Sequence, residues 1–136
     1  MNERCWTLIG SRDAFSGTWR VRLHHVIEGQ PAKVDADWSW TLTREETDGD
    51  VMGFCHTHPP GIGAQPSQRD IRTMQAWCSA LDKPLLCLIV EDREPGIPAG
   101  YVFVSDEHGG QAVDSLNSEE DGTYVVRESK REKEAD

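Results

Sequence analysis

Apolar positions along this chain come in short bursts closed by turn residues, a rhythm that predicts strands over most of its length. Residues 3–10 (Glu-Arg-Cys-Trp-Thr-Leu-Ile-Gly) form an apolar run closed by glycine, which suits a buried strand. Thr18 to Ile27 alternates with a β-branched and aromatic bias and predicts a second strand. Gly29 and Pro31 mark a turn. Val34 to Thr43 reads as a third strand, with Trp38 and Trp40 on one face as packing residues. Thr47-Asp48-Gly49-Asp50 is a turn signal before a fourth strand, Val51 to His58, which Pro59-Pro60 ends.

The period then changes. Ile71, Met74, Cys78 and Leu81 recur at helical spacing and predict a core-facing helix over Ser67 to Leu81, the main helix of the chain. Ser67 followed by Asp70 resembles a capping box, with aspartate in place of the usual Glu or Gln. After Pro84, the continuous apolar run Leu85 to Val90 has the character of a central strand. Ala99 to Val104 adds another, and Gln111 to Leu116 and Thr123 to Arg127 are weaker strands about an acidic turn. Strands around one main helix predict an α/β fold, a single domain with a mixed β-sheet over residues 1–128. Residues 129–136 are mostly charged and are expected to form a disordered tail.

A chain of 136 residues accommodates one such domain. Fourteen Lys and Arg stand against 24 Asp and Glu, a net charge of −10, which argues against a nucleic-acid partner held by phosphate neutralisation. No apolar run approaches the ~18 residues of a bilayer span, and Met1 to Trp6 lacks a signal-peptide pattern, so no membrane partner and a cytoplasmic location are expected. The four cysteines, at 5, 55, 78 and 87, form no C-x-x-C pair and sit mostly among apolar residues. They read as reduced core thiols.

The candidate chemistry lies at the end of the fourth strand. His56 and His58 are two apart, so both imidazoles leave the same face of a strand with Cα atoms roughly 6.6 Å apart. Asp70 falls in the first turn of the helix, where the dipole favours a carboxylate. The Gly/Pro-rich segment between them can bring the helix back over the strand end. Two His and one Asp leave a fourth tetrahedral position for water, the arrangement of a catalytic zinc site. His24 and His25 are adjacent and diverge, and Cys55 alternates to the opposite face from His56. Both are read as strand residues rather than as site groups, and Trp19 as packing.

His56-x-His58-Pro59, seven residues, Ser67, two residues, Asp70 resembles the motif of the JAMM (JAB/MPN-plus) zinc metalloproteases, with every fixed position present. Glu3-Arg4-Cys5-Trp6-Thr7-Leu8-Ile9-Gly10 is similar to that family's glutamate strand, although Trp6 stands where glycine is usual. The resemblance spans residue 3 to about residue 104. It implies the JAB/MPN (cytidine-deaminase-like) fold and one zinc ion held by His56, His58 and Asp70. It further implies Glu3 as the general base and Ser67 as the oxyanion donor. Glu28, within His24-His25-Val26-Ile27-Glu28, is the rival to Glu3, in surroundings unlike the motif.

The activity so implied is hydrolysis after the C-terminal glycine of a ubiquitin-like protein. The compact size resembles bacterial deubiquitinase-like members, some of which accompany antiphage conjugation systems, with activating or conjugating enzymes as further partners. Processing of a sulfur-carrier protein is the alternative, and a non-catalytic binding scaffold of the same fold is the third reading. Family members usually carry a helix before the glutamate strand, and only Met1 and Asn2 precede Glu3 here. Either the start is trimmed, or another element, a partner chain or a second copy of the chain (a homo-oligomer) covers that face.

Overall fold

The computed structural model describes residues 4–28 (backbone alone for 25–28), 38–59, 61, 63–91, 98–103 and 110–129. Along these residues the chain forms strands β1 (Arg4–Asp13) and β2 (Thr18–Glu28), helix α1 (Trp38–Asp48), strand β3 (Val51–His58) and helix α2 (Gln68–Leu81). Strands β4 (Leu85–Glu91), β5 (Pro98–Phe103), β6 (Gln111–Ala112), β7 (Ser115–Ser118) and β8 (Tyr124–Arg127) follow. All eight strands belong to one mixed sheet in the order β6-β5-β4-β3-β1-β2-β8-β7. Among these pairs β3–β4 is parallel and the others are antiparallel. A parallel pair needs a long crossover, and α2 supplies it.

The expected strand over Gln111 to Leu116 divides in two. Val113 N–H donates to the Gly100 carbonyl (3.0 Å), and Asp114 N–H donates to the Arg127 carbonyl (2.8 Å), so the chain changes partner from β5 to β8 between adjacent residues. Because β6 and β7 are the two ends of the sheet order, this step draws its edges together and curls the sheet. The concave side buries Leu8, Trp19, Val21, Leu88, Val102 and Val126. The convex side packs Phe54, Cys87, Ile89 and Phe103 against Met74, Trp77 and Cys78 of α2. Ile71 and Leu81 flank that second cluster, as the helical spacing predicted, and all four cysteines are buried free thiols.

The third strand expected over Val34 to Thr43 is not formed. Residues 34–37 lie outside the described residues, and from Trp38 onward the chain is helical, so α2 is not alone. Two positions apart on a helix are nearly opposite, and the two tryptophans accordingly diverge. Trp38 stacks on Trp77 (centroids 3.7 Å apart), whereas Trp40 approaches His24 at 5.4 Å. The inward residue is Thr41, fully buried, with its hydroxyl 3.2 Å from that of Thr7 on β1. A polar contact residue removes the apolar period by which an amphipathic helix is recognised. Arg44 secures the helix exit, chelating Asp50 at 2.7 and 2.8 Å. Lys83 joins α1 to the segment after α2 through Glu45 at 3.0 Å.

β3 carries an irregularity that decides which way its histidines face. Leu8 pairs with Gly53 but Ile9 pairs with Val51, leaving Met52 as an extra residue, as in a β-bulge. Met52 and Cys55 consequently share the concave side, while Phe54 faces α2. Gly53 adopts φ 147°, and a Cβ there would lie 1.8 Å from the Leu86 carbonyl oxygen. Gly53→Ala must therefore push β3 from β4 or abandon the backbone conformation. We expect a loss of about 3 kcal/mol or more, a large share of a domain's stability. Urea unfolding checks this, and a midpoint equal to wild type would contradict the role given to the bulge.

Candidate metal centre

Beyond the bulge, regular alternation places His56 and His58 on the α2 side of β3. The helix returns because Ser67 caps it. The Ser67 hydroxyl accepts from Asp70 N–H (3.1 Å), and Ser67 N–H donates to Asp70 Oδ2 (2.8 Å), completing the capping box that the sequence suggested. Such a cap is worth typically about 1 kcal/mol. Here it also fixes the Asp70 carboxylate against the strand end. Oδ1 lies 3.1 Å from His56 Nε2, and Oδ2 lies 3.0 Å from His58 Nε2. One potential ligand atom from each of the three residues falls within 4.8 Å of the others, and the site is mostly enclosed.

Burial alone would raise the Asp70 carboxyl pKa. Hydrogen bonds from His56 and His58, the charge of His56 and the Ser67 N–H overcome that effect and hold the carboxyl well below the usual carboxylate range. Asp70 is therefore ionised at neutral pH and offers only acceptors. His58 Nδ1 lies 3.0 Å from the Gly63 carbonyl oxygen, which can only accept, so Nδ1 carries a proton. In the neutral imidazole Nε2 is then a bare lone pair facing an anionic oxygen at 3.0 Å. That contact requires positive charge between the two atoms, either a proton or a metal cation. A ligating histidine commonly donates its other N–H to a carbonyl in just this way. The donor set and its orientation thus fit a divalent cation.

The residues around the centre and the remaining sequence candidates separate clearly. Thr57 alternates away from the centre, and its hydroxyl accepts from Arg4 N–H at 2.9 Å, pinning the start of β1 to β3. Glu3 lies outside the described residues, as do the side chains of His25 and Glu28. The backbone of Glu28 pairs with Arg4, which leaves β1 between it and β3. Cys55 is buried on the concave side, where desolvation pushes its thiol pKa far up, so a Cys–His nucleophile has no basis here. Trp19 is fully buried and its indole N–H donates to Glu128 (2.8 Å).

One residue beside the centre escapes notice in the sequence. Glu91 ends β4 in register with His58 and is buried. Its Oε2 accepts from the backbone N–H groups of Gly61 (2.6 Å) and Gly63 (3.2 Å). A single carboxylate ending an apolar central strand is a signal, but its partners appear only once β3 and β4 are paired. No described helix is long and apolar enough to cross a membrane.

A solution structure of a protein from Desulfitobacterium hafniense is similar at 21% identity, covering 82% of this chain and 75% of that one with a TM-score of 0.47. No curated protein matches in sequence. The model of a family described as prokaryotic homologs of the JAB domain matches residues 1–114. With a mixed α/β fold and a His-His-Asp centre at the end of β3, this chain belongs to the prokaryotic JAB-domain homologues.

Proposed function

We propose that the protein is a zinc-dependent peptidase or isopeptidase that cleaves after the C-terminal glycine of a ubiquitin-like protein. The observation that carries this reading is the meeting of His56 Nε2, His58 Nε2 and both Asp70 oxygens beside the Ser67 cap. A scaffold that only bound a partner would have no use for a largely enclosed His-His-Asp group in which one histidine is oriented by a backbone carbonyl.

Bound there by His56, His58 and Asp70, zinc would lower the pKa of a coordinated water towards ~7 and polarise a carbonyl oxygen. The chain's residues supply the remainder. The Ser67 hydroxyl accepts from Asp70 N–H and still keeps its own proton. Through that proton it can donate a hydrogen bond to the oxygen of a scissile carbonyl as it becomes tetrahedral. Glu3 takes a proton from the attacking water and returns it to the leaving amine. His58, oriented by Gly63, and Asp70, held by the cap, keep the donor atoms from swinging away.

The sheet also restricts how an extended substrate tail can bind. Among the described residues its edges are β6 and β7, with two strands between β3 and β6 and three between β3 and β7. At ~4.8 Å per strand, a strand added at either edge lies well over 10 Å from the centre. Of the described elements, the C-terminal end of β3 and the N-terminus of α2 stand nearest the centre, and the tail is read as entering there. Deconjugation, precursor maturation and sulfur-carrier processing all present such a tail.

The test is cleavage of ubiquitin-like and sulfur-carrier proteins fused through the terminal glycine to a reporter. The proposal expects cut products ending at that glycine, loss of cutting with a chelator and recovery with zinc. Cleavage that is indifferent to chelation, or none with any carrier, would count against it.

A further inference from the structure

We infer that Glu91 is a positioning residue for His58, acting through the turn that contains Gly61 and Gly63; this rests on the metal-centre reading above. Three contacts form a chain. Glu91 Oε2 accepts from Gly61 N–H (2.6 Å) and Gly63 N–H (3.2 Å). The carbonyl of the same Gly63 lies 3.0 Å from His58 Nδ1, and His58 Nε2 lies 3.0 Å from Asp70. Gly61 and Gly63 adopt φ 94° and 82°, values that suit glycine and turn their N–H groups inward to the carboxylate.

A buried carboxylate at a strand end is costly unless charge-assisted hydrogen bonds compensate it. The expense has a purpose in this geometry. An imidazole ring can rotate or exchange tautomers, and either movement would take the Nε2 lone pair off the centre. The Gly63 carbonyl prevents both by requiring a proton on Nδ1, but a loop carbonyl is only as fixed as its loop. Glu91 fixes it from the neighbouring strand, where the parallel register sets Glu91 beside His58. The sheet thereby supplies both the histidine and, one strand away, the anchor for the group that orients it. Glu91 is buried at 8% exposure, and the path from its carboxylate to His58 runs through the Gly61 and Gly63 N–H groups and the Gly63 carbonyl.

The test compares Glu91→Ala and Glu91→Gln with wild type in two measurements. The first is zinc affinity by competition with a chromogenic chelator. Outer partners of metal ligands typically contribute 10–100-fold in affinity, and Glu91→Ala should lose that much. Glu91→Gln keeps one acceptor oxygen and should recover part of it. The second uses metal-free protein and reads the His58 Nδ1–H proton by NMR. It should be shifted downfield and slow to exchange in wild type, and should exchange rapidly in Glu91→Ala. Should the alanine variant fail to fold, the glutamine variant carries both measurements, with an intermediate exchange rate expected. Wild-type affinity together with an unchanged Nδ1–H in folded variants would overturn the inference. If wild type binds no zinc but Glu91 variants still release the Nδ1–H, the metal reading fails while the positioning role stands.

Discussion

Asp70→Ala should abolish zinc binding and reduce cleavage to background, the largest single effect expected of any substitution here. The carboxylate has three simultaneous partners, His56 Nε2, His58 Nε2 and Ser67 N–H. Its removal takes one of three protein donors from the metal and half of the capping box from α2. The Ser67 side-chain cap, worth about 1 kcal/mol, stays in place because it takes the Asp70 backbone N–H, so the lost half of the box should appear in metal-free protein only as a modestly lower Tm. The metal part is separable. Zinc at about 1,000 times its Kd would stabilise the wild type by roughly 4 kcal/mol, on the order of 10–20 °C for a domain of this size. Calorimetric scans with and without zinc should show that increment in wild type and none in Asp70→Ala. An equal zinc-dependent rise in both proteins would remove Asp70 from the ligand set.

Glu3→Gln should lower turnover by ~10²–10⁴-fold, the usual contribution of a general base, and leave zinc content unchanged. Glu28→Gln should cleave within a few fold of wild type. The backbone favours this order. β1 lies beside β3, with Cys5 paired to His56 and Arg4 N–H donating to Thr57. The residue preceding Arg4 in sequence is Glu3. Glu28 ends β2, the next strand out, and about 9–10 Å of sheet separates the β2 and β3 backbones. Steady-state cleavage of a glycine-linked fusion, alongside elemental analysis, reads both variants. A dead Glu28→Gln with an active Glu3→Gln would reverse the assignment, and two active variants would remove the hydrolytic mechanism.

The sequence is most legible where local chemistry and tertiary structure coincide. β3 and α2 have the anticipated extents because the Pro59-Pro60 stop, the Ser67 cap and the 71-74-78-81 spacing each act locally. The His-His-Asp meeting was visible for the same reason, since strand parity and a capped helix fix three side chains without distant partners. α1 was hidden because its sheet-facing residue is Thr41, matched to Thr7 across 34 positions, and its tryptophans and threonines imitate strand composition. The Met52 bulge was hidden too, because it follows from the close approach of Gly53 to Leu86. Glu91 required the β3–β4 register, which periodicity does not specify. What escaped rests on contacts between elements distant in sequence, Thr41 with Thr7, Gly53 with Leu86 and His58 with Glu91.

The central claim, that β3 and the first turn of α2 build a metal site, is tested most directly by zinc analysis of wild-type protein purified without chelators. The account predicts about one zinc per chain, with an X-ray absorption spectrum of two imidazole nitrogens and carboxylate or water oxygens at ~2.0–2.2 Å. Protein that is folded yet free of zinc, and that takes up none on addition, would contradict it.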